Sequence, residues 1–275
     1  MPPLDPASRS SGGDEDPEQV RAMPIILRIE RDRPPGRTAV LEAAAKAVIA
    51  VCLDPRAAEN GEWHEEMAAW ISGRIRKVAR RARGAHWQAV QELPGVTIDV
   101  EGAQVRALVP GRVATTPKEI SRLQISGSEL PADEPEPAPD DVPVLWLNPD
   151  VQMTVGKAAA QVGHATMILA SLLPAERLAE WAERGYRCAV RTSSAEGWAR
   201  LKPGDDPAAA WRERRVVAVR DAGFTEVDPG TVTVLAQWVQ EVQEVQGARP
   251  SRAAIRCWWL SRPRTPRRRR WSWPR

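Results

Sequence analysis

A run of prolines and acidic residues in the middle of the chain, LPADEPEPAPDD at residues 130–141, limits how this sequence can fold. Proline removes a backbone hydrogen-bond donor, and closely spaced carboxylates resist burial. The run is therefore expected to be an extended acidic linker between two folded segments, residues 21–129 and 142–238. Residues 1–20, rich in proline, glycine and acids, and the basic tail at 239–275 are expected to be disordered.

The positive charge of the chain is concentrated at its end. The whole sequence of 275 residues carries a formal net charge of +3. Residues 249–275 contain ten arginines and no acid, and subtracting these ten charges from +3 leaves −7 for residues 1–248. Overall basicity is therefore no argument for nucleic-acid binding, which must be argued from local clusters.

Cysteine and histidine usage argues against several classes of protein. The three cysteines, Cys52, Cys188 and Cys257, are far apart and form no C-x-x-C pair, which disfavours a disulfide scaffold, a zinc ribbon or an iron–sulfur protein. His64 and His86 have no metal-ligand spacing, so neither a metal nor another cofactor is expected. Without a secretory signal or a run of about eighteen apolar residues, we expect a soluble cytoplasmic protein with no membrane partner.

The first folded segment is predicted to be a small α/β domain of unknown role. Apolar and alanine-rich stretches with turn residues between them indicate its elements. These are a strand at 24–30, helices at 38–53 and 62–83, a hairpin of strands 96–100 and 104–109, and a helix start at Thr116-Pro117-Lys118-Glu119 with Thr116 as N-cap.

A dense basic cluster lies at the end of the second predicted helix. Six cations with no acid among them occupy ten residues: Arg74, Arg76, Lys77, Arg80, Arg81 and Arg83. On a helix they would form a broad cationic face that contacts RNA phosphates, through Arg76, Lys77, Arg80 and Arg81. The alternative is a solvated helix end where the dipole favours cations. The density of charge favours RNA contact.

The second folded segment alternates strands and helices, as expected for a βαβ arrangement. Strands are predicted at 142–147, 186–192, 216–220 and 231–238, helices at 154–173 and 175–185, and a partly helical region at 193–214.

The helix after the first of these strands carries an unusual polar stripe. Lys157, Gln161 and His164 are spaced i, i+4, i+7 and therefore share one face, and Thr154 can cap the helix so that Lys157 lies in the first turn. Free N–H groups and an ammonium there favour a phosphate or an oxyanion. A nucleotide-triphosphate loop is excluded, because Val151 and Ala158 stand where that motif needs glycine and serine or threonine.

A second polar group follows the third strand. Arg220 and Asp221 end this strand, and Gly223 and Thr225 come next. Ligands of open α/β sheets gather at the carboxyl ends of the strands. If the first and third strands are parallel, Asp221 and Lys157 therefore converge there, where the carboxylate can orient water or hold the lysine.

Two motifs together carry a family resemblance. GKAAAQVGHA at 156–165, followed by RDAGFTEVDPGTVTVLA at 220–236, resembles the archaeal and eukaryotic type of peptidyl-tRNA hydrolase. The resemblance covers residues 142–238. It implies a four-stranded mixed sheet with helices on both faces, and metal-free hydrolysis of the ester between a peptide and tRNA, with peptidyl-tRNA as partner.

The resemblance also implies site residues. Lys157, Asp221 and Thr225 would be the catalytic group, and Gln161, His164 and Arg220 would contact the substrate. Two positions depart from the family, which usually has basic residues where this chain has Asn148 and Phe224.

Three functions remain open from the sequence. The first is a carboxylic ester hydrolase that recycles tRNA from peptidyl-tRNA. The second is a catalytically weak or inactive module of the same fold that binds tRNA. The third is an interaction protein whose first segment holds a partner. The oligomeric state is also open, a homodimer included.

Overall fold

The computed structural model describes residues 16–125, 129–223 and 226–239. The described part is an α/β fold with two mixed β-sheets, and a four-stranded sheet with helices on both faces lies in the second segment as predicted. Most of the two predicted disordered ends lies outside the described residues. Among the described residues no helix combines the length and the apolar character needed to cross a membrane.

The first segment forms a sheet in the order β2-β1-β4-β3, with the short β5 paired to β1. Strand β1 is parallel to β2 and antiparallel to β4, and β4 is antiparallel to β3. The elements are β1 (Arg21–Arg28), α1 (Arg37–Cys52), α2 (His64–Ser72), β2 (Arg76–Ala82), α3 (Gly84–Gln91), β3 (Gly95–Val100), β4 (Ala103–Leu108), β5 (Gly111–Arg112) and α4 (Lys118–Ser121). Short 3-10 turns span Pro17–Gln19 and Pro55–Ala57.

The predicted helix at 62–83 is wrong. Helix α2 ends at Ser72, Gly73 follows as its C-cap, and Ile75 adopts a left-handed φ of 49° that breaks the helix. Residues 76–82 then pair with β1 along its whole length, so that long-range pairing overrides the local helix preference of this arginine- and alanine-rich stretch. The predicted Thr116 cap is also wrong, because Pro117 takes the cap position of α4.

The second segment forms a sheet in the order β7-β6-β9-β8. Strand β6 is parallel to β7, and β9 is antiparallel to both of its neighbours, so β6 and β8 run in the same direction. The elements are β6 (Val144–Leu147), α5 (Val155–Leu172), α6 (Ala175–Glu183), β7 (Ala189–Thr192), α7 (Ala195–Leu201), α8 (Pro207–Arg214), β8 (Val216–Arg220) and β9 (Val232–Gln237). The predicted strand at 186–192 is shorter, because Tyr186 has a left-handed φ of 55°.

Both faces of the second sheet are covered. One face contributes Val217, Val234 and Ala236 to the main hydrophobic core, where α5 packs. The other face packs Val216 and Leu235 against Trp198 of α7 in a smaller cluster. Alternate side chains of the strands therefore point to opposite faces of the sheet, as the pleat requires.

Helices α1 and α5 pack side by side and join the two sheets into one hydrophobic core. They approach closely at Gly163, where an added Cβ would lie 2.8 Å from a methyl of Val48. Thr166 Oγ1 donates to Ala45 O at 3.1 Å, and Arg37 at the start of α1 donates to Met153 O at 3.0 Å, just before α5. The two helices therefore start at the same end and run in the same direction.

The acidic run at 130–141 contains neither helix nor strand. It nevertheless contacts the fold, since Asp133 accepts hydrogen bonds from the backbone N–H and the hydroxyl of Thr38 at 2.8 and 2.6 Å. This places a carboxylate at the amino end of α1, where the helix dipole favours negative charge.

The two sheets have the same topology. In each, the first strand leads through a helix to a parallel edge strand, and a later antiparallel pair adds on the other side, so that β1 to β4 correspond in order and direction to β6 to β9. Their last connections differ. Only Glu101 and Gly102 join β3 to β4, whereas residues 221–231 join β8 to β9.

Candidate active site

The amino end of α5 is fixed by Thr154 and Glu226. Thr154 Oγ1 accepts the backbone N–H of Lys157 at 3.1 Å, as the sequence predicts for an N-cap. Glu226 in turn accepts the Thr154 N–H at 3.1 Å and its hydroxyl at 2.9 Å. A carboxylate therefore already occupies the amino end of α5, where the helix dipole favours negative charge. Glu226 was not predicted, because its contact depends on the path of the β8–β9 connection.

A buried ion pair lies where β8 ends. Lys157 Nζ donates to Asp221 Oδ2 at 2.6 Å, and the two side chains are only 9% and 5% exposed. The pair forms because β6 and β8 are parallel, so that the helix following β6 begins beside the residue following β8. The predicted convergence of these two residues is what the structure shows.

Asp221 is held by three donors. Besides Lys157, Gln161 Nε2 donates to Oδ2 at 2.8 Å, and the backbone N–H of Gly223 donates to Oδ1 at 2.8 Å. A carboxylate oxygen has two lone pairs, so Oδ2 is saturated and Oδ1 keeps one acceptor position. The site therefore contains a carboxylate with fixed orientation and capacity for one more hydrogen bond.

Thr233 on β9 orients Gln161. Its hydroxyl donates to Gln161 Oε1 at 2.5 Å, and the residue is fully buried. With its oxygen engaged, the Gln161 amide must point its nitrogen at Asp221. Thr233 was missed as a site residue, although the second motif contains it in T-V-T at 231–233.

His164 lies one turn further along α5 and contacts the first segment. Lys77 Nζ on β2 lies 2.9 Å from His164 Nδ1. Burial, and then the charges of Lys77 and Lys157, hold the pKa of His164 well below its usual value. The imidazole is therefore neutral at physiological pH.

The predicted cationic helix face does not exist, because four of the six cations, Arg76, Lys77, Arg80 and Arg81, lie on the strand β2. Neighbouring strand residues point to opposite sides, which separates Lys77 and Arg81 from Arg76 and Arg80. Arg80 donates to the backbone oxygens of Ser121 and Leu123 at 3.3 and 2.7 Å. Arg81 Nε donates to Gln124 Oε1 at 2.9 Å. RNA contact by these residues stays a prediction.

The remaining predicted residues lie beside the cluster or outside the described chain. Arg220 is the last residue of β8, just before Asp221, and is directed to the opposite face of the sheet, with Nη1 3.5 Å from Gly230 O. Asn148 donates to Val232 O at 2.7 Å and ties the end of β6 to β9. Thr225 and Phe224 lie outside the described residues. Among the described residues, no group of histidine, cysteine and acidic side chains could hold a metal.

The comparison with known families agrees with this geometry. The model of the peptidyl-tRNA hydrolase PTH2 family matches residues 142–248. This segment of the chain is PTH2-like. The resemblance predicted from the two motifs is thereby confirmed for the segment, which contains Lys157, Gln161 and Asp221 together with Thr233. No solved structure matches the chain.

Proposed function

We propose that the PTH2-like segment hydrolyses the ester bond between a peptide, or an N-acylated amino acid, and tRNA. The observation that carries this proposal is the buried cluster in which Asp221 accepts hydrogen bonds from Lys157 and Gln161 at the carboxyl edge of the sheet. The family match over residues 142–248 supports the choice of substrate.

The proposed reaction uses water as the nucleophile. The open acceptor position on Asp221 Oδ1 holds and orients a water molecule against the ester carbonyl, and the ammonium of Lys157 stabilises the negative charge that develops on the carbonyl oxygen. The bond between the carbonyl carbon and the ribose oxygen breaks. The ribose hydroxyl leaves with a proton, and the peptide leaves with a free carboxyl group. Thr225 is proposed as a second residue that positions water.

Turnover of N-acetyl-aminoacyl-tRNA by wild type and by Asp221→Asn tests the proposal. The asparagine amide has one oxygen and one NH₂ group. If the NH₂ group faces Lys157 and Gln161 it meets other donors, and if the oxygen faces them no acceptor is left to orient the water. In both cases the negative charge that compensates Lys157 is lost. We expect hydrolysis to fall about 100-fold or more, the effect of losing one well-placed electrostatic group. Asp205→Asn, at an exposed position, is the matched control and should retain full activity.

The second candidate is a tRNA-binding module without turnover. It is favoured by the Glu226 carboxylate at the amino end of α5, which takes the helix-end position that would otherwise stabilise an oxyanion during turnover. Salt-dependent binding of tRNA with no release of N-acetyl-amino acid by wild type would support it and reject the hydrolase.

A further inference from the structure

The first half of the chain contributes a side chain to the polar stripe of α5. Lys77 belongs to β2, the edge strand of the first sheet, yet its ammonium lies 2.9 Å from His164 Nδ1. Lys77 also lies over the Trp70 ring, 5.2 Å from its centroid, which constrains the ammonium from the side of the first half. The PTH2-like segment does not contain this lysine, so the site extends beyond the segment that the family describes.

The common topology shows what the first half lacks. Aligning the N-caps of α1 and α5, Gly36 and Thr154, places Ala39 and Ala43 at the positions of Lys157 and Gln161. Ile98 pairs with Val105 as Val219 pairs with Val234, and two residues further along the chain stand Val100 and Asp221, the latter beyond the register shift that follows Val219. All three polar groups are thus replaced by apolar side chains packed in or against the main core. The first half therefore holds no counterpart of the Lys157–Asp221 cluster.

The contact of Lys77 with His164 has a counterpart related by the same alignment. The strand registers, extended by one residue, place Cys188, just before β7, at the position of Lys77, and the helix alignment places Lys46 of α1 at the position of His164. Burial is the main cause that raises the pKa of the Cys188 thiol. The negative charge of Glu42 raises this pKa further, and the positive charge of Lys46 lowers it. Each half therefore presents its edge strand to the central helix of the other, and at this pair of positions only the first half presents a cation.

The hydrogen bond determines where the His164 ring carries its proton. An ammonium is only a donor, so Nδ1 must accept, and a neutral imidazole then carries its single hydrogen on Nε2. The charged groups that act on the ring are Lys77 from β2 and Lys157 from its own helix, and both disfavour imidazolium. His164 is only partly buried, and no hydrogen bond of Nε2 to another described residue is observed, so Nε2 remains available to a ligand.

We propose that Lys77 is a positioning residue for the active site, which holds the His164 ring so that Nε2–H is presented to a carbonyl or phosphate oxygen at the 3′ end of peptidyl-tRNA. The proposal rests on the proposed function for its ligand. The first half of the chain then acts as a built-in partner of the PTH2-like half, with a residue of its own in the site.

Histidine ring nitrogen chemical shifts test the positioning directly in the full-length chain. The chain has only three histidines, and His164→Gln identifies the signal of His164. In wild type we expect a neutral ring protonated at Nε2 at physiological pH and also at pH values below the ordinary histidine pKa, because the folded pKa is held well below that value. In Lys77→Met the pKa of His164 should rise, because a neighbouring cation is removed, while Lys77→Arg and the exposed-site control Lys202→Met should leave the signal as in wild type. A His164 signal that is the same in Lys77→Met as in wild type would overturn the proposal.

Kinetics with N-acetyl-aminoacyl-tRNA test the consequence for substrate. We expect Lys77→Met to raise KM about tenfold, the effect of one weakened charge-assisted hydrogen bond, with kcat within about twofold of wild type. Lys77→Arg should recover most of the affinity, and Lys202→Met should not change it. A KM for Lys77→Met no higher than that of Lys202→Met, or a loss confined to kcat, would overturn the proposal. If wild type shows no turnover the proposed function fails, and the ring signals still decide whether Lys77 orients His164.

Discussion

At the scale of single residues, the site depends on which atom of each side chain is already engaged. Lys157 and Gln161 both donate to one oxygen of Asp221, and Thr233 fixes the amide of Gln161 from the other side. Each side chain in this series of hydrogen bonds limits the orientation of the next. Because these side chains are largely buried, losing one partner leaves a polar group that water cannot easily satisfy.

Thr233→Val tests this chain of contacts. Valine has nearly the same shape but no hydroxyl, so Gln161 Oε1 loses its donor and the amide can turn its oxygen toward Asp221. We expect kcat to fall about tenfold and the free energy of unfolding to fall by about 1–3 kcal/mol, the cost of one unsatisfied buried polar group. Hydrolysis of N-acetyl-aminoacyl-tRNA and urea unfolding measure the two effects. Thr233→Ser, which keeps the hydroxyl, should recover most of the activity, and equal losses in both variants would contradict the role of the hydroxyl.

His164 predicts a pH dependence of stability. Its folded pKa is held well below the ordinary value, so between the two values the unfolded chain binds a proton that the folded chain does not. Stability contributed here is present above about pH 6.5 and is lost as the pH falls toward the folded pKa.

The Tm of wild type should therefore decrease more than that of His164→Gln when the pH is lowered from about 7.5 to 5. Thermal unfolding at several pH values measures this difference. His86→Gln, at an exposed position, is the control and should follow wild type. Parallel curves for wild type and His164→Gln would show that the folded ring takes up its proton normally.

At the scale of secondary-structure elements, the connection after β8 has a strict backbone requirement. Gly223 has a left-handed φ of 76°, and a Cβ there would lie 2.2 Å from the Pro229 ring. Its N–H also donates to Asp221 Oδ1. The turn that positions the carboxylate therefore admits no side chain at this residue.

Gly223→Ala should move this turn and disturb Asp221. We expect at least a tenfold loss of hydrolysis, together with a loss of stability of about 1–3 kcal/mol from backbone strain. Gly204→Ala is the matched control, because an added Cβ at Gly204 meets nothing within 4 Å. Activity assays and thermal unfolding of both variants measure the effects. Equal behaviour of the two variants would contradict the requirement.

The secondary-structure elements also show which features of the fold and the site can be predicted from the sequence. The periodicity of α5 and the parallel strands β6 and β8 sufficed to bring Lys157 and Asp221 together, since both depend on local pattern and one topological rule. The strand β2 was predicted as a helix, because its pairing with β1, more than fifty residues earlier, leaves no local signal. Lys77 could not be placed near His164 for the same reason. Glu226 required the path of a connection that no periodic pattern describes.

At the scale of the whole molecule, the two halves share one core. Helices α1 and α5 touch along their length, and Glu42 of α1 accepts hydrogen bonds from Val190 N and from Arg191 of β7 at 3.0 and 2.8 Å. The sequence did not indicate this packing or the common topology, because corresponding positions such as Ala43 and Gln161 differ in chemistry. The predicted separation into two domains remains a prediction about independent folding.

The shared core predicts that both halves unfold together. Gly163→Leu would overpack the contact with Val48, at a cost of about 1–3 kcal/mol. Calorimetry should show one transition for the described folded part, shifted as a whole to lower temperature in this variant. Ala195→Leu, at the exposed start of α7, is the control and should leave Tm within about 1 °C. Two transitions, of which only one shifts, would show that the halves unfold independently.

The two-residue turn between β3 and β4 has a geometric consequence for the amino end of α1. Since α1 and α5 start at the same end, this turn and the longer β8–β9 connection lie at the same end of the molecule. Of these two connections, only the β8–β9 connection is long enough to reach the amino end of its central helix, where Glu226 accepts the hydrogen bonds of Thr154. The short turn cannot do the same for α1, whose amino end is bonded instead by Asp133 of the acidic run.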